Sequence, residues 1–309
     1  MSLLSLIFAL LLEQLHPLAL RRNLHAALGR YVDFFHRYLH AGHLKHGRIA
    51  WLVAILLPLI GTVSLYWLMY WVHPVFALLF NVLVLYFTLG FRQFIRSYTD
   101  IHQALRDHDL DKARNLLSAW RASSCHELKH EEVARVTIEE GLLAAHRYLF
   151  GVITWFVVSM FLGLGPAGAV LYRMAHFIDQ LWDHEDPGDL GVFARQAYRW
   201  VEWLPMRVTA MIFAIVGDFE DTLYCWRTQS QSWPDPVAGV VLASAAGAIG
   251  VRLGLPILQA GLPQDRPELG IGEDADVDFM QSTVGLVWRA LVFWFALLLL
   301  FGLATLVKF

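Results

Sequence analysis

Apolar residues gather in long blocks along this chain, separated by segments dense in charge. Residues 50–72 carry no charge over a length sufficient to cross a hydrocarbon core of about 30 Å, which takes ~20 helical residues. His73-Pro74 makes a turn and 75–91 returns, so these blocks predict a helical hairpin opened by Arg48 and closed by Arg92. A last block, 286–307, predicts another spanning helix. The most informative block is 148–179. It runs without charge over 148–164, is interrupted at Gly165-Pro166, resumes over 167–171, and ends in Tyr172-Arg173 with Asp179 beyond. Proline lacks a backbone donor and clashes with the preceding turn, so the run must kink or break there. Two geometries satisfy the pattern: one kinked spanning helix, or a re-entrant hairpin that returns its end to the starting side.

Between the blocks the period changes. Over 92–147 charges are dense and balanced, while Ile101, Leu105, Leu110, Ala113, Leu116 and Leu117 recur at helical spacing. This predicts an insert of two or three helices, broken near Ala122-Ser123-Ser124, whose last helix starts near Glu131 and runs toward the membrane. Upstream, residues 21–49 hold Arg21, Arg22, Arg30, Arg37, Lys45 and Arg48 against Asp33 alone, an excess that assigns them and the insert to the cytoplasmic side. The loop 261–284 has six acids and one base, Arg266, and is expected on the far side. Residues 237–260 are rich in glycine and alanine, which lets membrane helices approach closely. The leucine-rich start has no basic region before it and is read as a retained helix, not a signal peptide. The expected fold is all-α: a polytopic integral membrane protein with kinked or re-entrant helices and a small cytoplasmic helical insert. Its expected divisions are 1–91, 92–147 and 148–309.

Composition agrees. Hydrophobic residues make up 57% and charged ones 17%, against about 25% charged in a soluble domain. The net charge of −3 gives no reason to expect nucleic acid. Two cysteines, Cys125 and Cys225, are read as free thiols. His36, His40, His43 and His46 have helical spacing, but no carboxylate or thiol joins them, so they are read as solvated and no metal is expected. The acids of 183–189 are likewise read as a solvated loop.

Candidate chemistry lies in the arginines. Arg173, Arg207, Arg252 and Arg289 sit in or at the ends of the last four apolar segments, where each costs ~2.5–3.5 kcal/mol if left in lipid. Asp179, Glu202, Asp218 and Asp278 are their candidate partners. Arg207 and Arg252 are flanked by Pro or Gly and are expected to line a pocket for an anionic small molecule, carboxylate or phosphate, because guanidinium forks suit both. In a re-entrant geometry Arg173 joins them, with Tyr172, His176 and Asp179 at the mouth. Arg289 is expected to reach the headgroups. No catalytic residue and no cofactor is assigned. The expected partners are the bilayer, an anionic ligand, and a membrane protein or second copy of the chain.

Several short segments, in order, are similar to the CobD/CbiB family of membrane proteins, which includes adenosylcobinamide-phosphate synthases, and to its relative AmpE. They are Ala104-Leu105 with Asp109-Leu110 and Ala113-Arg114; Glu132-Val133-Ala134-Arg135 with Ile138-Glu139; Gly168-Ala169 with Leu171-Tyr172-Arg173 and Asp179; Pro205-Met206-Arg207; and Gly250-Val251-Arg252-Leu253-Gly254. The chain departs from the synthases elsewhere. Their Gly-Arg-Asp-Thr is replaced by Ala119-Trp120-Arg121-Ala122-Ser123, and their Glu-Asn-Thr-x-Asp-Gly is recovered at neither 143–148 nor 146–151. Their Asn-Thr-Leu-Asp becomes His176-Phe177-Ile178-Asp179, and their paired acids become Tyr198-Arg199. Nucleotide-driven amide synthesis uses acids to hold metal and to position a base. Retained arginines beside lost acids therefore resemble the AmpE branch. That resemblance implies a multi-pass protein of the bacterial inner membrane, not an enzyme, with a binding or signalling role in cell-wall sensing and β-lactamase induction. The competing reading is a cobalamin-biosynthesis synthase that joins adenosylcobyric acid to aminopropanol phosphate through an amide.

Overall fold

The structure is a computed structural model that describes residues 2–15, 28–35, 44–185, 189–259 and 261–307. Helices dominate: α1 Ser2–Leu15, α2 Leu44–Val72, α3 Pro74–Thr88, α4 Phe91–Arg106, α5 Leu110–Arg121 and α6 His130–Ala145. A π-helical turn at His146–Phe150 continues α6 into α7, Gly151–Phe161. Then come α8 Ala167–Glu185, α9 Asp189–Val216, α10 Phe219–Gln229, α11 Pro236–Ile249 and α12 Val277–Val307. The residues pack as two compact units, 1–90 with 151–205 and 91–150 with 206–309.

In the first unit, α2 and α3 form the expected hairpin. His73 caps α3 by accepting a hydrogen bond from Val75 N at 3.2 Å, and Pro74 occupies the first helical position, where its missing donor costs nothing. The break at Gly165-Pro166 is a reversal, not a kink. Ser159 Oγ donates to Gly165 O at 2.7 Å across the turn, and α8 runs back along α7. A Cβ at Gly168 would run into the Trp155 carbonyl, and one at Gly151 would strike the Tyr172 ring. Tyr172 therefore returns to the level of Gly151, the hairpin alternative of the two geometries. The acids expected in one loop over 183–189 are divided, since α8 runs to Glu185, α9 begins at Asp189, and 186–188 lie outside the described residues. His36, His40 and His43 also lie outside them.

In the second unit α6 is the central helix, packed by α4, α5, α11 and α12. Burial of nearly every residue from Val133 to Ala145 matches the apolar and small residues that fill most of that stretch. The expected break near residue 122 is present: Ala122 ends α5 in the left-handed conformation at φ 53. Pro205 lies inside α9 and does not interrupt it. One expectation fails. The apolar block 237–260 is helical only to Ile249, because Gly250 turns left-handed at φ 69 and ends α11. Beyond it the chain makes β1 Val251–Arg252, β2 Ile257–Gln259, β3 Leu262–Gln264 and β4 Glu273–Asp274. β1 pairs with β4 in parallel, with Arg252 beside Asp274, and β2 pairs with β3 antiparallel.

Among the described residues, three helical stretches are long and apolar enough to cross a membrane: Arg48–Val72, His130–Phe161 and Val277–Ala304. The first and last leave large apolar side chains exposed, including Leu57, Ile60 and Trp71 on α2 and Val292 and Leu300 on α12. A surface so apolar needs lipid around it. The chain is an all-α polytopic membrane protein.

The tight α7–α8 contact makes a direct test. Gly168→Val inserts branched carbons where a carbonyl already sits, and overpacking of this kind costs ~1–3 kcal/mol. The detergent-solubilised variant is expected to melt well below the wild type. A wild-type melting temperature would mean the two helices are not in contact there.

Candidate functional site

Two charged residues interrupt the buried surface of α6, Arg135 and Glu139, and both are more than nine-tenths buried. They stand four residues apart, so they share a face. Glu139 meets the segment after β1. Gly254 N donates to Glu139 Oε1 at 2.8 Å, Arg266 Nη1 donates to Oε2 at 2.6 Å, and Arg266 Nη2 reaches Oε1 at 3.4 Å. The same guanidinium also donates from Nη2 to Gly254 O at 2.8 Å and from Nε to Leu255 O at 3.1 Å. Its face lies 5.7 Å from the centre of the Trp233 ring.

The backbone is bent to make this possible. Gly254 and Leu255 are both left-handed, at φ 75 and φ 64. At Gly254 a Cβ would also run into the Pro267 carbonyl, so only glycine fits. Leu255 has no such excuse and stores on the order of 1–3 kcal/mol of strain, which persists only because its surroundings hold it. Arg266 is what holds it: the carbonyls of both left-handed residues point at one fork.

Beside this clamp, Arg252 bridges two acids, Asp274 at 2.8 Å and Glu268 at 3.5 Å. Neither was among its four expected partners. Of those, Asp218 caps α10 by accepting from Asp221 N at 2.9 Å. Glu202 is fully buried in the first unit, where it accepts hydrogen bonds from Tyr172 at 2.7 Å and from Tyr198. The ring of His176 lies 5.2 Å from that of Tyr198. Of the expected site residues, Tyr172 and His176 thus belong to one buried polar group on α8 and α9. Arg173 and Asp179 are half-buried on α8, Arg207 is half-buried on α9, and Arg252 lies on β1. Arg289 is exposed and donates to Val216 O at 2.8 Å.

Sequence reasoning missed Arg135 and Arg266 as site residues, and Glu139 as the partner of Arg266. Arg266 was read as the lone base of an acidic loop. The usable signal was on α6, where Arg135 and Glu139 are a four-residue charge pair inside an apolar run and so need something from elsewhere in the chain. The segment 146–151, one of the two registers at which a synthase-like motif was sought, overlaps the π-helical turn. Its His146 is fully buried, with Nδ1 3.0 Å from Thr209 Oγ1. Such turns recur at functional sites.

The join between Glu139 and Gly254 unites two segments singled out for their resemblance, Glu132–Glu139 and Gly250–Gly254. Comparison with known proteins bears on the same point. The family model described as CobD/Cbib protein matches residues 3–287. The chain belongs to the CobD/CbiB family. A Stutzerimonas stutzeri protein named cobalamin biosynthesis protein CobD is 33% identical over 305 residues, 97% of each chain. Its namesake from Chromobacterium violaceum is 34% identical over 226 residues, 72% of this chain and 71% of its own. A Salmonella arizonae cobalamin biosynthesis protein CbiB is 25% identical over 286 residues, 85% of both. No solved structure matches. These findings overturn the AmpE-like signalling reading: the similar proteins carry cobalamin names, one of them matching over 97% of the chain. The missing acids had been given too much weight, and the two motif segments that meet in the fold too little.

The clamp predicts its own energetics. Glu139→Ala strands a buried guanidinium, a change that typically costs ~3–5 kcal/mol. The Glu139→Ala/Arg266→Met double variant removes both charges and should recover a large part of the loss, read as melting temperatures in detergent. Additive losses would show that the two side chains are not coupled.

Proposed function

We propose that this protein acts in cobalamin biosynthesis as the membrane synthase that forms an amide between the carboxylate of adenosylcobyric acid and the amine of aminopropanol phosphate. The observation that carries the proposal is the match to a cobalamin biosynthesis protein over 97% of both chains. The meeting of Glu139 with the Gly250–Gly254 segment supports it.

The chemistry sets requirements. A carboxylate does not condense with an amine at neutral pH unless its oxygen is converted to a leaving group, so a nucleotide is implied as co-substrate. Each reactant carries an anionic group, and guanidinium forks suit carboxylate and phosphate alike. Arg252, half-buried beside the strained turn, and Arg207 of the same unit are proposed to engage a reactant; in the first unit Arg173, Tyr172, His176 and Asp179 are proposed to bind an anionic group. The protein is placed in the bacterial inner membrane, with 92–147 facing the cytoplasm, where a nucleotide would be available.

Expression in a strain lacking its own synthase should restore growth that depends on cobalamin made from supplied cobyric acid. Arg252→Lys should restore it poorly, since one ammonium cannot bridge Asp274 and Glu268 as the fork does. Failure of the well-expressed wild type in that strain would overturn the synthase reading.

Topology has a separate test. Both natural cysteines are buried, and burial with Asp221 nearby pushes the Cys225 thiol up to about 11, so it should be silent at neutral pH. In a Cys125→Ser background, exposed Ser124→Cys should stay unlabelled by an impermeant maleimide in right-side-out vesicles and react in inverted ones. The opposite pattern would reverse the orientation.

A further inference from the structure

Arg135 is the exception in an otherwise fully paired cluster. Every neighbouring acid is already engaged: Glu139 by Arg266 and Gly254 N, Asp274 and Glu268 by Arg252, and Glu132 by Lys129 N at 2.7 Å. Arg135 lies within electrostatic reach of Glu139, Glu132, Asp274 and Arg266. Yet among the described residues it makes no hydrogen bond and no ion pair, although it is only 8% exposed. Its Nε is sealed from solvent without an acceptor, and so is the Nε of Arg252, whose partner Asp274 lies within electrostatic reach of Arg135. A buried guanidinium without an acceptor is among the costlier things a fold can keep. A neutral side chain of similar volume would fit this buried position better, so the charge has a use that the resting structure does not display.

We infer that Arg135, supported by Arg252, anchors a site for a phosphate group. A phosphate has several oxygens for the terminal amino groups of one fork and a second charge for a neighbouring guanidinium, whereas one carboxylate is satisfied by a single fork. The position agrees: Arg135 is five residues from the start of the His130–Phe161 stretch, near where such a helix leaves the membrane. The same chemistry is offered by a free phosphate compound from the aqueous side and by a phospholipid headgroup. The inference rests on the pairing of charges and does not need the cobalamin reading, so each can fail alone.

The full-length protein, delipidated in a neutral detergent, is melted with increasing inorganic phosphate against chloride at matched ionic strength. The wild type should gain roughly 2–3 °C at about ten times the dissociation constant, beyond any effect of chloride. Arg135→Gln should lose that gain and, in chloride alone, melt at or above the wild-type temperature. Arg135→Lys should keep only part of it. A wild type indifferent to phosphate overturns the site unless phosphatidic acid, added back in place of phosphatidylcholine, stabilises it in an Arg135-dependent way and so assigns the site to a lipid. Stabilisation retained by Arg135→Gln overturns it. So does an Arg135→Gln protein that melts far lower or fails to fold, which would make the arginine structural.

Discussion

A guanidinium carried into a protein interior must find acceptors for its donors, and Arg266 makes four such bonds in one place. Two oxygens of Glu139 and two backbone carbonyls receive its fork, and an indole covers its face. The carbonyls come from two consecutive left-handed residues, one of them a leucine that would not adopt this conformation unaided. The clamp therefore does more than neutralise charge. It fixes the turn after β1 to the central helix, and β1 carries Arg252. Buried ion pairs often add little net stability compared with apolar packing, so their value lies in specifying one arrangement. Here the arrangement specified is the approach of two family-like segments that are more than a hundred positions apart in the chain.

The first unit resolves its buried polar groups differently. Two phenols, from α8 and α9, converge on one oxygen of Glu202. The hairpin of α7 and α8 brings Tyr172 there, through a close approach that only glycine allows at Gly151 and Gly168. Small residues in this chain thus set where polar side chains can meet. The same holds at Gly254, whose missing Cβ leaves room for a carbonyl and for the hydrogen bond to Glu139.

The family assignment reweighs the chemistry. Acid-rich motifs expected of a synthase are altered in this chain, yet a similar protein with a cobalamin name matches 97% of its length. A motif is one route to a geometry, and a changed motif does not show that the geometry is lost. The π-helical turn at His146–Phe150 illustrates the point, because an inserted residue shifts every later side chain around the helix.

Sequence alone determined the membrane class, the α2–α3 hairpin, the amphipathic helices after Arg92 and the break at Gly165-Pro166. These follow from local rules: the length of an apolar run, its period, and the missing donor of proline. The family resemblance was legible too, in short segments whose order was preserved. Tertiary structure decided what those rules leave open. Whether the break was a kink or a reversal depended on how Gly168 meets Trp155. Whether 237–260 was a span depended on Gly250, whose left-handed turn sends the chain into paired strands. The partners of the charges were hidden for the same reason. Arg266 and Glu139 are 127 residues apart, and Arg252 chose acids within its own strand-rich segment over the four that sequence proximity to apolar runs suggested. Pairing of buried charge is set by which groups the fold excludes from water together, and no local pattern records that.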